Sequence, residues 1–256
     1  MKNSIGFNLT SLSDEKLTPE LIEKFNQITF DFFQRHGVIP TYWWVEGKGF
    51  GDKLTKFTSK KLQNLREKNY LDRGRKLIEG LGYAINPKES DAPAFDSFLK
   101  LGLIYTKELQ RLELTFTIDP NIIPVTPKEI GELFLEYARL FVVDFGFIYE
   151  HESFEHVNAV VIGYNDNNYS KEEWEPYLRW YQSPTEEKLR HPRNLFPVNL
   201  LRRDLYKEAI EKILRGDREF FDSYHYRGKG FVEHPLPKEL SYLACLVERE
   251  HTYYCD

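Results

Sequence analysis

Thr126 to Tyr164 reads TPKEIGELFLEYARLFVVDFGFIYEHESFEHVNAVVIGY, a helical run followed by two strand-like runs. An earlier stretch, Thr18 to Val45, has a related wording: TPELIEKFNQITFDFFQRHGVIPTYWWV. In both, a threonine stands where an N-cap hydroxyl can accept a first-turn N–H, and proline follows at the first helical position, where its missing N–H is not needed. Glu20 and Glu129 place negative charge near the positive end of each helix dipole. Apolar residues recur at helical spacing. The first run has Leu21, Ile22, Phe25, Ile28, Phe32 and Phe33; the second has Ile130, Leu133, Phe134, Tyr137, Leu140 and Phe141.

Each helix is expected to stop near a glycine, Gly37 or Gly146, before an apolar strand. Upstream of each lies an alternating strand, Ile5 to Thr10 and Leu112 to Ile118. The shared order of strand, Thr-Pro helix, glycine and strand predicts an α+β fold. It would have a mostly antiparallel sheet, helices packed on it, and two related strand–helix–strand modules at about 1–46 and 112–164. Residues 47–111 would connect them, and 165–256 would form a partly helical extension on the same unit.

With 256 residues, the chain could be one large domain or two small ones. Its start has no signal-peptide pattern, and no apolar run approaches the ~20 residues that span a bilayer. Cys245 and Cys255 are the only cysteines and read as idle thiols of a cytoplasmic protein, although a disulfide is possible. A net charge of −5 gives no general case for nucleic acid. The charge is uneven, however. Lys48 to Lys76 holds ten Lys or Arg against three acids, a balance of +7 that leaves −12 on the rest. Gly47-Lys48-Gly49-Phe50-Gly51 lacks the ending of a phosphate loop. The default for this segment is a solvated helix and loop; RNA or an acidic protein is the functional alternative.

Elsewhere, Leu77 to Tyr83 reads as a helix end or turn, Leu101 to Tyr105 as a strand, 204–214 as a short helix and Ser241 to Val247 as a closing element. On a strand Trp43 and Trp44 face opposite sides, so one can be core while the other lines a groove; burial of both is the more ordinary outcome. Trp174, Tyr177, Trp180 and Tyr181 fall on one helical face.

His151-Glu152-Ser153-Phe154-Glu155-His156 carries the densest chemistry. Its histidines are five apart rather than the four that would let both reach one zinc from a helix, so a polar tip between two strands is the preferred reading. A metal-dependent hydrolase or nuclease using His151, Glu155 and His156 is the alternative. No nucleophile with a paired base is visible, and no cofactor is expected.

Arg193-Asn194-Leu195-Phe196-Pro197-Val198-Asn199-Leu200-Leu201 resembles a segment of bacterial immunity proteins from polymorphic-toxin and type VI secretion systems. The Gly146-Phe147-Ile148-Tyr149 strand start is also similar. The resemblance covers about residues 140–205. It implies a cytoplasmic, non-enzymatic inhibitor that binds a cognate protein toxin, and it transfers no binding residue; the charge and the lack of a long apolar run separately argue against nucleic acid and membrane as partners. The residues themselves suggest partner contacts at Trp43, Trp44 and Phe50, at His151, Glu152 and Glu155, and at Trp174, Tyr177, Trp180 and Tyr181.

Overall fold

A computed structural model describes residues 2–12, 16–47, 54–72, 76–86, 97–163, 180, 183, 188, 191–193, 195–196, 198–223, 231–234, 236 and 238–248. Twelve strands alternate with six α-helices among these residues. The strands are β1 (Ser4–Ser11), β2 (Tyr42–Glu46), β3 (Thr55–Lys56), β4 (Leu71–Asp72), β5 (Lys76–Leu77), β6 (Gly80–Ile85), β7 (Leu99–Thr106), β8 (Arg111–Ile118), β9 (Phe145–His151), β10 (Val198–Arg202), β11 (Phe231–His234) and β12 (Leu243–Glu248). The helices are α1 (Pro19–Arg35), α2 (Ser59–Glu67), α3 (Pro127–Ala138), α4 (Phe154–Ile162), α5 (Lys207–Arg215) and α6 (Arg218–Ser223). Ten strands form one antiparallel sheet in the order β11-β12-β10-β9-β1-β8-β7-β6-β2-β3; β4 and β5 pair separately. The fold is α+β, as the sequence leads one to expect.

The two Thr-Pro helices are built as the sequence predicts. Thr18 Oγ1 accepts from Leu21 N at 3.1 Å. Thr126 forms a capping box with Glu129, whose carboxylate accepts from Thr126 N at 2.7 Å. The strands that precede them, β1 and β8, pair at the centre of the sheet with Phe7 opposite Phe116. From there α1 carries the chain to β2, parallel to β1 with three strands between, and α3 carries it to β9, parallel to β8 with β1 between.

On the sheet's first face Ile5, Phe7 and Leu9 meet Leu114, Phe116 and Ile118 under α1 and α3. On the second, Phe145, Phe147 and Leu201 pack with residues of α4, α5 and α6. Gly6 lets α4 approach, because a Cβ there would lie 2.7 Å from methyls of both Val157 and Val161.

The structure corrects three local expectations. Helix α3 ends at Ala138, so Leu140 and Phe141 follow it, and Gly146 is a strand residue against Leu9 and Phe134. Gly80 to Ile85 is a fully buried strand, not a helix end. Residues 154–162, whose second half reads as a strand, form helix α4, with Ser153 Oγ capping His156 N at 3.2 Å.

A buried polar chain ties α1 to the sheet and to the segment after α2. Tyr83 Oη donates to Asn26 Oδ1 at 2.7 Å, Asn26 Nδ2 donates to Tyr70 Oη at 3.0 Å, and Tyr70 Oη donates to Glu23 at 2.5 Å. Burial, helped by the nearby Glu23 carboxylate, pushes the Tyr70 hydroxyl from 10.0 up to about 12. Burial also raises those of Tyr83 and Tyr137. These phenols hold their protons longer when folded than when unfolded. Stability from them is therefore complete below pH 10 and is lost as pH rises from about 10 through the folded values. The expected result is alkaline unfolding that begins just above pH 10, with tyrosinate absorbance rising together with loss of circular dichroism. Full tyrosine ionisation with the fold intact would contradict it.

Candidate interaction surface

Strand register arranges the second face in rows. One runs Tyr42, Ala84, Lys100, Thr117, Gly6, Tyr149; the next Trp44, Gly82, Gly102, Thr115, Asn8, Phe147; the third Glu46, Gly80, Ile104, Glu113, Thr10, Phe145. The rows change character at β1. Toward β9 they become aromatic and lie under α4 and its neighbours. Toward β2 they are small, polar or partly exposed. Burial alternates along β2 and the first half of β8, although β6 is buried throughout: in β2 Trp43 and Val45 are buried while Tyr42, Trp44 and Glu46 are not, and in β8 Leu112 and Leu114 are buried while Arg111, Glu113 and Thr115 are not. On this half the first face is in the core and the second is only partly covered; where α4 reaches β8, Arg111 and Glu113 are 13% and 14% exposed.

Trp44 is the largest side chain on this open half. Its indole lies across β6 and β7, on a floor that only glycine provides. A Cβ on Gly82 would sit 1.9 Å from its Cζ2, and one on Gly102 2.5 Å away. Trp43 points the other way, is buried and meets Phe57 at 6.0 Å. The pair divides as core and surface, and Trp43 has no surface to offer a partner.

The border of the open half is the first turn of α4. Lys100 Nζ lies 5.9 Å from the centre of the Phe154 ring. Burial lowers the affinity of Lys100 for its proton, opposed by the charge of Glu155. Glu152 and Glu155 are exposed. The 150–156 segment is thus a strand-to-helix junction rather than a tip between two strands. It borders the same face as Tyr42 and Trp44, with β9 five strand spacings, about 24 Å, from β2.

The turn from strand to helix brings the imidazoles together despite their spacing: the rings of His151 and His156 are 4.1 Å apart. Both are already engaged. Ser153 N donates to His151 Nδ1 at 3.1 Å, and His156 Nε2 pairs with Tyr149 Oη at 3.1 Å. Among the described residues no three His, Cys, Asp or Glu side chains converge as metal ligands. Trp180 is buried, 6.4 Å from Phe145, with Lys188 Nζ 5.4 Å from its ring. Phe50, Trp174, Tyr177 and Tyr181 lie outside the described residues.

The described residues of the Arg193–Leu201 segment pack within the fold. Arg193 is buried, donates to the carbonyl of Val160 at the C-terminal end of α4, and lies 5.2 Å from the Phe147 ring. Phe196 stacks on Phe147 at 3.8 Å, and Asn199 Oδ1 accepts from Phe196 N at 3.1 Å. Asn8 Nδ2 donates to the next α4 carbonyl, Val161 O, at 3.0 Å. Two buried polar side chains thereby hold the last turn of α4 on the sheet, at carbonyls of which Val160 O also accepts from Gly163 N at 3.2 Å.

The fold has a solved counterpart. It is similar to that of the Pseudomonas aeruginosa T6SS protein PA0821, with a TM-score of 0.53 and 15% identity over 96% of this chain and 69% of that one. At that identity the likeness concerns the fold. No family model matches the chain, and no curated protein matches it. No helix among the described residues is long and apolar enough to cross a membrane.

The sequence reading missed Gly82, Gly102 and Lys100. Glycines inside strands signal close approach of another group. Here that signal was hidden, because Leu77 to Tyr83 reads as a helix end.

Proposed function

We propose that this chain is a non-enzymatic binding protein that neutralises a cognate bacterial protein toxin by direct contact. The partly exposed half of the sheet's second face would form the contact, with Trp44 at its centre and Glu155 at its border. The observation that carries this reading is the partly exposed indole, set in place on Gly82 and Gly102. An aromatic anchor already held in one position loses little entropy on binding, and such residues dominate interface energetics. The structural likeness to a T6SS protein and the immunity-protein resemblance of residues 193–201 are compatible with a toxin as the partner.

The test is affinity purification of the tagged chain from its host, followed by titration of the captured protein against variants. Trp44→Ala is expected to weaken the complex about 30-fold or more, corresponding to at least about 2 kcal/mol. Leu214→Ala, at an apolar residue 47% exposed on α5, beside β11 near the other end of the sheet from β2, should leave affinity unchanged. Equal affinity for wild type and a folded Trp44→Ala variant would remove this surface from the proposal.

A further inference from the structure

We infer that α2 and the edge strand β3 form a second interaction surface, cationic and held rigid, whose partner is an acidic segment of another protein. The surface comes from the one stretch whose charge opposes the rest of the chain, +7 against −12. Lys56, Lys60, Lys61 and Lys68 are all exposed. None has a carboxylate within 4.0 Å among the described residues. Lys60 and Lys61 on α2 and its C-cap Lys68 fall within about 100° of helical arc, beside the stripe of buried Leu62 and Leu65. Lys61 Nζ donates to the carbonyl of Lys56 at 2.8 Å, which joins the helix to the sheet edge and fixes one ammonium there.

Two lysines on other helices are neutralised locally: Lys24 pairs with Glu20 at 2.8 Å and Lys212 with Glu208 at 2.7 Å. Helix α2 places no acid three or four residues from Lys60 or Lys61. Its Glu67 is held by Gln63 Nε2 at 3.2 Å, and its Arg66 is drawn away to Glu23 at 3.1 Å.

Rigidity is the second observation. Asn69 and Tyr70, just past α2, both adopt left-handed backbone, with φ 51° and 57°. Non-glycine residues are held there only where the surroundings over-determine them, and such strain concentrates at functional sites. Here the anchor is the Tyr70 hydroxyl between Glu23 and Asn26. A nine-residue helix too short to persist alone is thereby locked to α1 with its charges aligned.

The composition of the patch favours protein over nucleic acid. Its cations without a carboxylate partner among the described residues are lysines, its arginine is engaged, and its aromatic residues Phe57 and Tyr70 pack inward, which leaves no described platform for stacked bases. An extended polyphosphate would also meet the negative remainder of the chain, whereas a short acidic segment touches only the patch.

The experiment measures fluorescence anisotropy of a labelled poly-glutamate peptide of about 20 residues, and separately of a single-stranded oligonucleotide of similar length, at an ionic strength of about 0.01 M and again at about 0.15 M. Lys60→Glu/Lys61→Glu/Lys68→Glu is compared with Lys128→Glu/Lys207→Glu/Lys238→Glu, which makes the same change in net charge at exposed lysines elsewhere. The wild type should bind the peptide more tightly than the oligonucleotide, and salt should weaken it. The first triple variant should lose about tenfold or more in affinity and the second less than about threefold. Equal losses in both would reduce the effect to net charge and overturn the assignment. So would absence of peptide binding by the wild type, or tighter binding of the oligonucleotide. Trp44→Ala should leave peptide binding intact, so this outcome is separate from that of the toxin-binding proposal.

Discussion

Replacing Phe7 by alanine should lower stability by about 3–5 kcal/mol, a large part of the ~5–15 kcal/mol that holds an ordinary domain together. Phe7 is fully buried on β1, stacked on Phe116 of β8 at 4.8 Å and 13°. Its ring meets Phe134 of α3 edge-on at 5.4 Å and lies 6.1 Å from Tyr137. Phe116 in turn receives Phe32 of α1 at 5.6 Å. One side chain therefore sits where both central strands and both Thr-Pro helices converge, and no neighbour can collapse into the space without leaving another contact. Urea unfolding followed by circular dichroism measures the loss; a value under about 1.5 kcal/mol would show that the four elements do not depend on this ring. A double-mutant cycle with Phe116→Ala adds a second reading. The stacked pair should couple by about 0.5–1.5 kcal/mol, so the double variant loses less than the two singles together.

That centre was legible in the sequence for local reasons. Thr18 and Thr126 announce their helices by cap chemistry, and Leu112 to Ile118 announces its strand by alternation. What was not legible follows from competition between local signals. Phe154 to Ile162 is a short apolar run rich in β-branched residues, which periodicity alone does not separate from a buried strand. Its Ser153 cap lies inside a stretch that draws attention for its histidines instead. Gly80 to Ile85 carries two glycines that look like turn punctuation, although one of them is there to seat an indole.

The open face was half legible. Residue alternation places Trp43 and Trp44 on opposite sides, but nothing local says that β2 pairs with β6 and so delivers Trp44 onto Gly82 and Gly102. Lys100 had no local signal at all; it matters because register puts it between Tyr42 and α4. Strand order is non-local information, and β2 lands three strands beyond the partner of β1. The Arg193–Leu201 segment shows the converse. A stretch conspicuous enough to carry a family resemblance turns out to hold α4 and the sheet together, which is a reason for its wording that involves no partner.

Asn26→Ala should cost about 2–4 kcal/mol and should act at a distance on the cationic module, because Asn26 is where the core and that module meet. The side chain is fully buried on α1. Its oxygen accepts from Tyr83, whose hydroxyl has no route to water, and its nitrogen donates to Tyr70. Alanine leaves the Tyr83 hydroxyl without that acceptor and removes one of the contacts that hold Tyr70. The left-handed backbone at Asn69 and Tyr70 costs on the order of 1–3 kcal/mol per residue and persists only while the anchor outweighs it. With the anchor weakened, the segment from α2 to β5 should open before the sheet does. Hydrogen exchange of the amides in Ser59–Glu67 should therefore accelerate more than that of amides in β1 and β8. A uniform increase across the chain would mean that Asn26 contributes only to global stability. Unchanged exchange in α2 would mean that Leu62, Leu65 and the Arg66–Glu23 pair hold the module without it.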